Sequence, residues 1–187
     1  MTNQILKTDL VTGLLQPVRY ESSSHCDDRP ADMPVDMIVV HNISLPPGKF
    51  GGDAIERFFC GRLDMTEHPA FADIAHLRVS AHLLIKRNGE IVQFVPFHKR
   101  AWHAGQSSFQ GRTRCNDFSI GIELEGTDDL PFELEQYQQL SSTIRALLDA
   151  YPQITPDRIV GHSDIAPVRK TDPGPAFDWE YLKGMLA

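Results

Sequence analysis

Met37-Ile38-Val39-Val40 is an unbroken apolar run that stops at His41-Asn42, and Ile159-Val160-Gly161 stops in the same way at His162. Short runs rich in β-branched residues fit strands buried on both faces. Phe118 to Gly126 alternates instead: Ile120, Ile122 and Leu124 point one way, while Gly121, Glu123 and Glu125 point the other. A glycine beside a glutamate on that second face leaves room for something to approach. Two apolar runs, His82–Lys86 and Ile91–Val95, flank Asn88-Gly89 and predict a hairpin with positive φ at both central turn residues. Helical spacing follows elsewhere. Ile55, Phe58 and Phe59 sit behind Gly52-Asp53. Tyr137, Leu140, Ile144, Leu147 and Leu148 mark an amphipathic helix over about 133–151, closed by Pro152. Tyr181, Leu182 and Met185 form a last helix capped by Asp178. Residues 71–80 read as helical or irregular. Residues 1–34 read as loop with a short strand near Val11, and His25 as an exposed loop histidine. Strands separated by helices, with one hairpin, predict an α/β fold: a single-domain mixed β-sheet flanked by helices.

The 187 residues suit one domain, 1–187, with a proper core, and 23% charged with 41% hydrophobic residues is a folded composition. A net charge of −7 argues against a general nucleic-acid or anionic-membrane binder. The N-terminal residues lack a basic region followed by an apolar stretch, and no run of about 18 apolar residues occurs, so neither a signal peptide nor a membrane span is expected. Cys26, Cys60 and Cys115, without CxxC spacing, fit reduced thiols in a cytoplasm.

Candidate chemistry gathers at strand ends. His162 leads into a turn-rich loop that carries Lys170 and Asp172, followed by Pro173-Gly174-Pro175. Imidazole and carboxylate both ligate zinc, and a catalytic zinc takes three protein ligands with one position open. Lys170 and Asp172 alternate to one side of an extended segment, where an ammonium stabilises a developing oxyanion. His41 ends a buried strand as His162 does, and the two converge if those strands are neighbours. Glu123 is either a general base or a solvent-facing strand glutamate. Trp102, Arg112 and Arg114 form either an aromatic platform with carboxylate clamps or a capped edge of the core.

Taken together, Val39–Gly48, Ala75–His82, Arg100–Gly105, Cys115–Thr127 and Gly161–Gly174 resemble the zinc-dependent N-acetylmuramoyl-L-alanine amidases of the phage lysozyme and peptidoglycan-recognition-protein fold. The resemblance covers most of residues 35–180, the expected catalytic core. It implies one Zn2+ per chain on His41, His162 and Asp172, with Glu123 handling the attacking water and Lys170 stabilising the oxyanion. Asn42, Arg78, Trp102 and Arg114 match substrate-contacting positions. The implied reaction is hydrolysis of the lactyl–L-alanine amide of small 1,6-anhydro-N-acetylmuramyl peptides during peptidoglycan recycling, with a link to β-lactamase regulation. A cytoplasmic monomer needing no protein partner is the matching expectation. The rivals are a non-catalytic peptidoglycan-binding module, which typically lacks a zinc ligand, and an amidase acting on polymeric wall.

Overall fold

In the computed structural model, which describes residues 5–187, the strands in chain order are β1 (Lys7–Asp9), β2 (Leu14–Gln16), β3 (Arg19–Tyr20), β4 (Cys26–Asp28), β5 (Met37–Ile43), β6 (Leu83–Ile85), β7 (Ile91–Gln93), β8 (Lys99–Ala101), β9 (Ser108–Phe109), β10 (Arg112–Thr113), β11 (Ser119–Glu125) and β12 (Ile159–Gly161). The α-helices are α1 (Ala54–Phe59), α2 (Leu134–Ala150), α3 (His162–Ile165) and α4 (Trp179–Leu186). Six strands form the main sheet, in the order β12-β5-β11-β6-β7-β3. At its centre β5 and β11 run parallel, from Met37 beside Ser119 to Ile43 beside Glu125. β12 and β6 add parallel strands outside them, β7 is antiparallel to β6, and β3 is parallel to β7. The expected mixed α/β sheet is therefore present.

Strand burial explains the central pair. Every residue of β11 is buried, so both faces must be covered. Ile38, Val40, Ile120, Ile122 and Leu124 pack against Tyr137, Leu140, Ile144 and Leu147 of α2 and Leu182 of α4. On the other face Leu84, Val92 and Phe94 meet Ile55, Phe58 and Phe59 of α1, while Met37 and Val39 meet Phe118 and Ile165. Gln136, fully buried, donates from Nε2 to the carbonyls of Ile85 and Glu125, which ties α2 to the carboxyl ends of β6 and β11.

Two sequence expectations are corrected. The β6–β7 hairpin exists, but among its turn residues only Gly89 has positive φ, at 82°. Gly89 N donates to Lys86 O and Lys86 N to Glu90 O, both at 2.9 Å. This is a three-residue loop in which the glycine alone takes the left-handed position. Asn88 accepts from Glu90 N through its side chain instead. The N-terminal segment is loop over most of its length, as expected, but carries four short strands rather than one. β1 and β2 form a hairpin, β3 extends the main sheet, and β4 pairs with β8. Leu15 is 1% exposed. Arg29 donates to the carbonyls of Phe97, Asn116, Asp117 and Ser119, and burial lowers its guanidinium to about 10. His25 is buried rather than exposed, its Nδ1 3.1 Å from Val79 O. Strands of two or three residues show no readable period, and the partners of β3 and β4 lie far away in the chain.

Candidate active site

The parallel strands β5, β11 and β12 end together, and the carboxyl edge of such a sheet is where open α/β folds bind ligands. His41 lies on β5 in register with Glu123 on β11. His162 is the first residue of α3, directly after β12. Asp172 arrives on the loop beyond α3. That loop is fastened by Ser163 N donating to Asp172 O at 3.0 Å and by Gly174 N donating to Thr171 O at 3.0 Å, with Gly174 at φ 83°. Asn42 Nδ2 donates to Pro173 O at 3.0 Å and to Asp128 Oδ1 at 2.7 Å, so the strand holds the returning loop.

These elements bring three donor atoms together. His41 Nδ1 and His162 Nδ1 are 3.0 Å apart, and each is 3.1 Å from Asp172 Oδ2. His162 Nε2 lies 3.1 Å from the Ala104 carbonyl, which only accepts. That partner assigns the proton to Nε2 and leaves a lone pair on Nδ1. Burial, reinforced by His162, lowers His41 to about 4 against the pull of Asp172, so its ring is neutral at pH 7. Three ligand-type atoms this close, one of them a bare imidazole nitrogen and one a carboxylate oxygen, make a site that suits a cation. The donor set and the spacing both fit zinc, whose nitrogen and oxygen ligands sit at about 2.0–2.2 Å.

Glu123 stands beside this cluster and is 8% exposed, with Oε2 buried and without a hydrogen-bond partner. Burial first, then Asp172, pushes its carboxyl well above the usual range, while Lys170 acts in the opposite sense. Lys170 also contributes, as the smallest of its causes, to lowering His41. Glu123 is therefore not the solvent-facing strand glutamate that the alternation allowed.

Other candidates lie outside this cluster. Trp102 is fixed by Nε1 donating to Asp27 Oδ1 at 3.0 Å, stacks on His25 with ring centroids 6.2 Å apart, and has the exposed Arg78 Cζ 5.3 Å over its ring. Arg100 links Asp27 to Asp117, and Arg114 Nε lies 3.3 Å from Asp117. Arg114 is exposed and lines a groove of about 610 Å³ with Gln106, Val168 and Arg169.

Sequence reading missed the layer behind these donor atoms. His103 packs edge-on against His41, with ring centroids 5.0 Å apart, and Asn116 Oδ1 accepts from the backbone of His103 and Ala104. The available signal was Gly121: a Cβ there would lie 2.6 Å from His103 Cδ2 and Nδ1, so the approaching group is this ring.

Residues 31–175 match the family model of the N-acetylmuramoyl-L-alanine amidases. The chain is 63% identical over 178 residues to the 1,6-anhydro-N-acetylmuramyl-L-alanine amidase AmpD of Escherichia coli (strain K12), covering 95% of this chain and 97% of that one. A crystal structure of an Se-Met AmpD derivative superposes with a TM-score of 0.91 at 58% identity, over 94% of this chain and 98% of the other. The Escherichia coli amidase AmiD, solved with the substrate anhydro-N-acetylmuramic acid-L-Ala-D-gamma-Glu-L-Lys, superposes with a TM-score of 0.60 at 30% identity, over 97% of this chain and 65% of that one. No helix among the described residues is long and apolar enough to cross a membrane. Agreement of this extent, along nearly the whole chain, means that it belongs to the N-acetylmuramoyl-L-alanine amidase family, on its AmpD branch, and is an amide-bond hydrolase.

Proposed function

We propose that this chain is a zinc-dependent amidase that cleaves the lactyl–L-alanine bond of 1,6-anhydro-N-acetylmuramyl peptides in cell-wall recycling. The observation that carries the reading is the convergence of His41 Nδ1, His162 Nδ1 and Asp172 Oδ2 within 3.0–3.1 Å of one another, beside a buried carboxylate oxygen of Glu123 that has no partner. The substrate class is supported by the name of the AmpD relative and by the anhydromuropeptide in the AmiD complex. A zinc ion held by His41, His162 and Asp172 would supply Lewis acidity that makes water nucleophilic near neutral pH.

Glu123 takes the proton of the attacking water at its unpartnered oxygen as water adds to the lactyl carbonyl. Lys170 donates to the carbonyl oxygen as negative charge develops there. Glu123 then returns the proton to the L-alanine nitrogen as the C–N bond breaks, releasing a lactyl acid and a free peptide amine. Arg78 and Arg114 pair with the carboxylates of the peptide, and Trp102 lies against the anhydro sugar. Asn42, whose amide nitrogen is engaged by Asp128 and Pro173, presents its side-chain oxygen to the substrate. The chain acts as one domain, as a cytoplasmic monomer without a protein partner. Turnover of the muropeptide pool would connect it to β-lactamase regulation.

The test is to incubate zinc-loaded protein with an anhydromuramyl tripeptide and with intact sacculi, with and without chelator, and to follow products by mass spectrometry. Chelator-sensitive release of tripeptide, with sacculi untouched, is expected. Release from sacculi would instead make this a lysis-type amidase. Binding without cleavage would remove the roles given to Glu123 and Lys170.

A further inference from the structure

We propose that His103 is a positioning residue that fixes the tautomer of His41, so that Nδ1 rather than Nε2 is left free to ligate a metal. The inference rests on the metal reading above and concerns a residue outside the ligand set. Its basis is a chain of hydrogen bonds whose direction is set at the far end. Ser119 Oγ lies 2.6 Å from the Cys115 carbonyl, which can only accept, so the single hydroxyl proton goes there. Facing His103 Nε2 at 3.2 Å, Ser119 Oγ can then only accept, so that nitrogen carries a proton. A neutral ring now has Nδ1 as its acceptor. It lies 2.9 Å from His41 Nε2, which must be the donor. His41 Nδ1 is left with a lone pair, aimed at the point where His162 Nδ1 and Asp172 Oδ2 also meet.

The seat of the ring is built into the same strand. Ser119, Gly121 and Glu123 alternate onto one face of β11. Ser119 ends the relay, and Gly121 leaves the space in which the His103 ring lies, where any Cβ would overlap it. Asn116 holds the backbone of His103 and Ala104 at 3.1 and 2.8 Å. These two consecutive residues then serve both histidine ligands: the His103 side chain receives His41 Nε2, and the Ala104 carbonyl receives His162 Nε2. Partners of this kind typically change metal affinity by about 10–100-fold when removed.

Two readouts test this. The first is the two-bond 1H–15N NMR pattern of imidazole-labelled, zinc-free wild type, which reports the His41 tautomer without any metal. The second is zinc affinity, by competition with a chromogenic chelator, for wild type, His103→Phe and His103→Asn. Phe keeps the shape and removes the acceptor, whereas Asn places Oδ1 near the position of Nδ1. A His41 ring protonated on Nε2, an affinity loss of about 10–100-fold in His103→Phe and recovery to within about threefold in His103→Asn would support the proposal. Recovery by Asn is what a merely structural role for the ring would not give. A His41 ring protonated on Nδ1, or unchanged affinity in folded His103→Phe, would overturn it. Should the wild type bind no zinc, the proposed function falls, while the NMR pattern still decides this assignment.

Discussion

Glu123 and Glu125 lie two residues apart on one strand face, both buried, and differ only in what surrounds them. Glu125 accepts the backbone N–H groups of Gly51 and Arg87 through its two oxygens, at 2.6 and 3.1 Å, and so anchors loops. Glu123 Oε2 has no partner. An unsatisfied buried carboxylate lowers stability, and its persistence next to three converging donor atoms points to chemistry. Its carboxyl is pushed above the usual range in the fold, so ionisation as pH rises through that raised value destabilises the metal-free protein. Glu123→Gln should therefore melt higher than wild type at pH 8 in chelator-treated samples, by about 2–4 °C per kcal/mol recovered. The gap should close toward pH 4.5, and equal melting at pH 8 would contradict this account. The same variant should lose about 10²–10⁴ in kcat, the range for a general base. Lys170→Ala should lose about 10²–10³ in kcat, as for one oxyanion donor, with zinc content per chain unchanged. Near-normal turnover would take Lys170 out of the mechanism.

Among the elements, the loop from Asp172 to Pro175 depends most on its neighbours, because it has no strand pairing of its own. Gly174 has φ 83°, and a Cβ there would lie 2.5 Å from Asp128 Cβ and 2.6 Å from Asp128 O. The backbone would have to shift, and Asp172 would move with it. Gly174→Ala is expected to destabilise the protein by more than about 1 kcal/mol, the scale for a strained left-handed position. It should also weaken zinc binding in a chelator competition. Wild-type zinc affinity in that variant would show that the loop tolerates the shift. Strand β11 behaves in the opposite way. Held between β5 and β6 and buried throughout, it offers one rigid face for Ser119, Gly121 and Glu123.

Across the whole molecule, burial keeps several histidines neutral together. His41 is lowered to about 4, and His82 and His103 lie well below the ordinary histidine value, burial being the first cause in each case. The unfolded chain protonates all of them below about pH 6.5, whereas the fold does not. Stability present above that pH is therefore lost as pH falls, by about 1.4 kcal/mol per pH unit for each unmatched proton. Glu123 works in the other direction, since the fold retains its proton above 4.5, and offsets part of the loss. The urea midpoint of chelator-treated protein should fall steadily from pH 7 to pH 5. A flat profile would mean that these rings accept protons within the fold.

The sequence by itself determined whatever rests on local periodicity. The buried runs before His41 and His162, the alternation around Glu123 and the stripe from Tyr137 to Leu148 each describe one element, and each element is where its pattern put it. Family resemblance added the joint identity of His41, Glu123, His162, Lys170 and Asp172. Tertiary structure decided what depends on distant contacts. The strand order alone brings His41 and His162 within 3.0 Å across 121 residues of chain. Distant contacts also bury His25 against Val79 and fix Arg29 on the Ser119 carbonyl, from a segment that reads as loop because strands of two or three residues carry no period. His103 was invisible for the same reason. Nothing in Trp102-His103-Ala104 states which ring it will face; only a glycine on another strand, 18 residues later, makes the space for it.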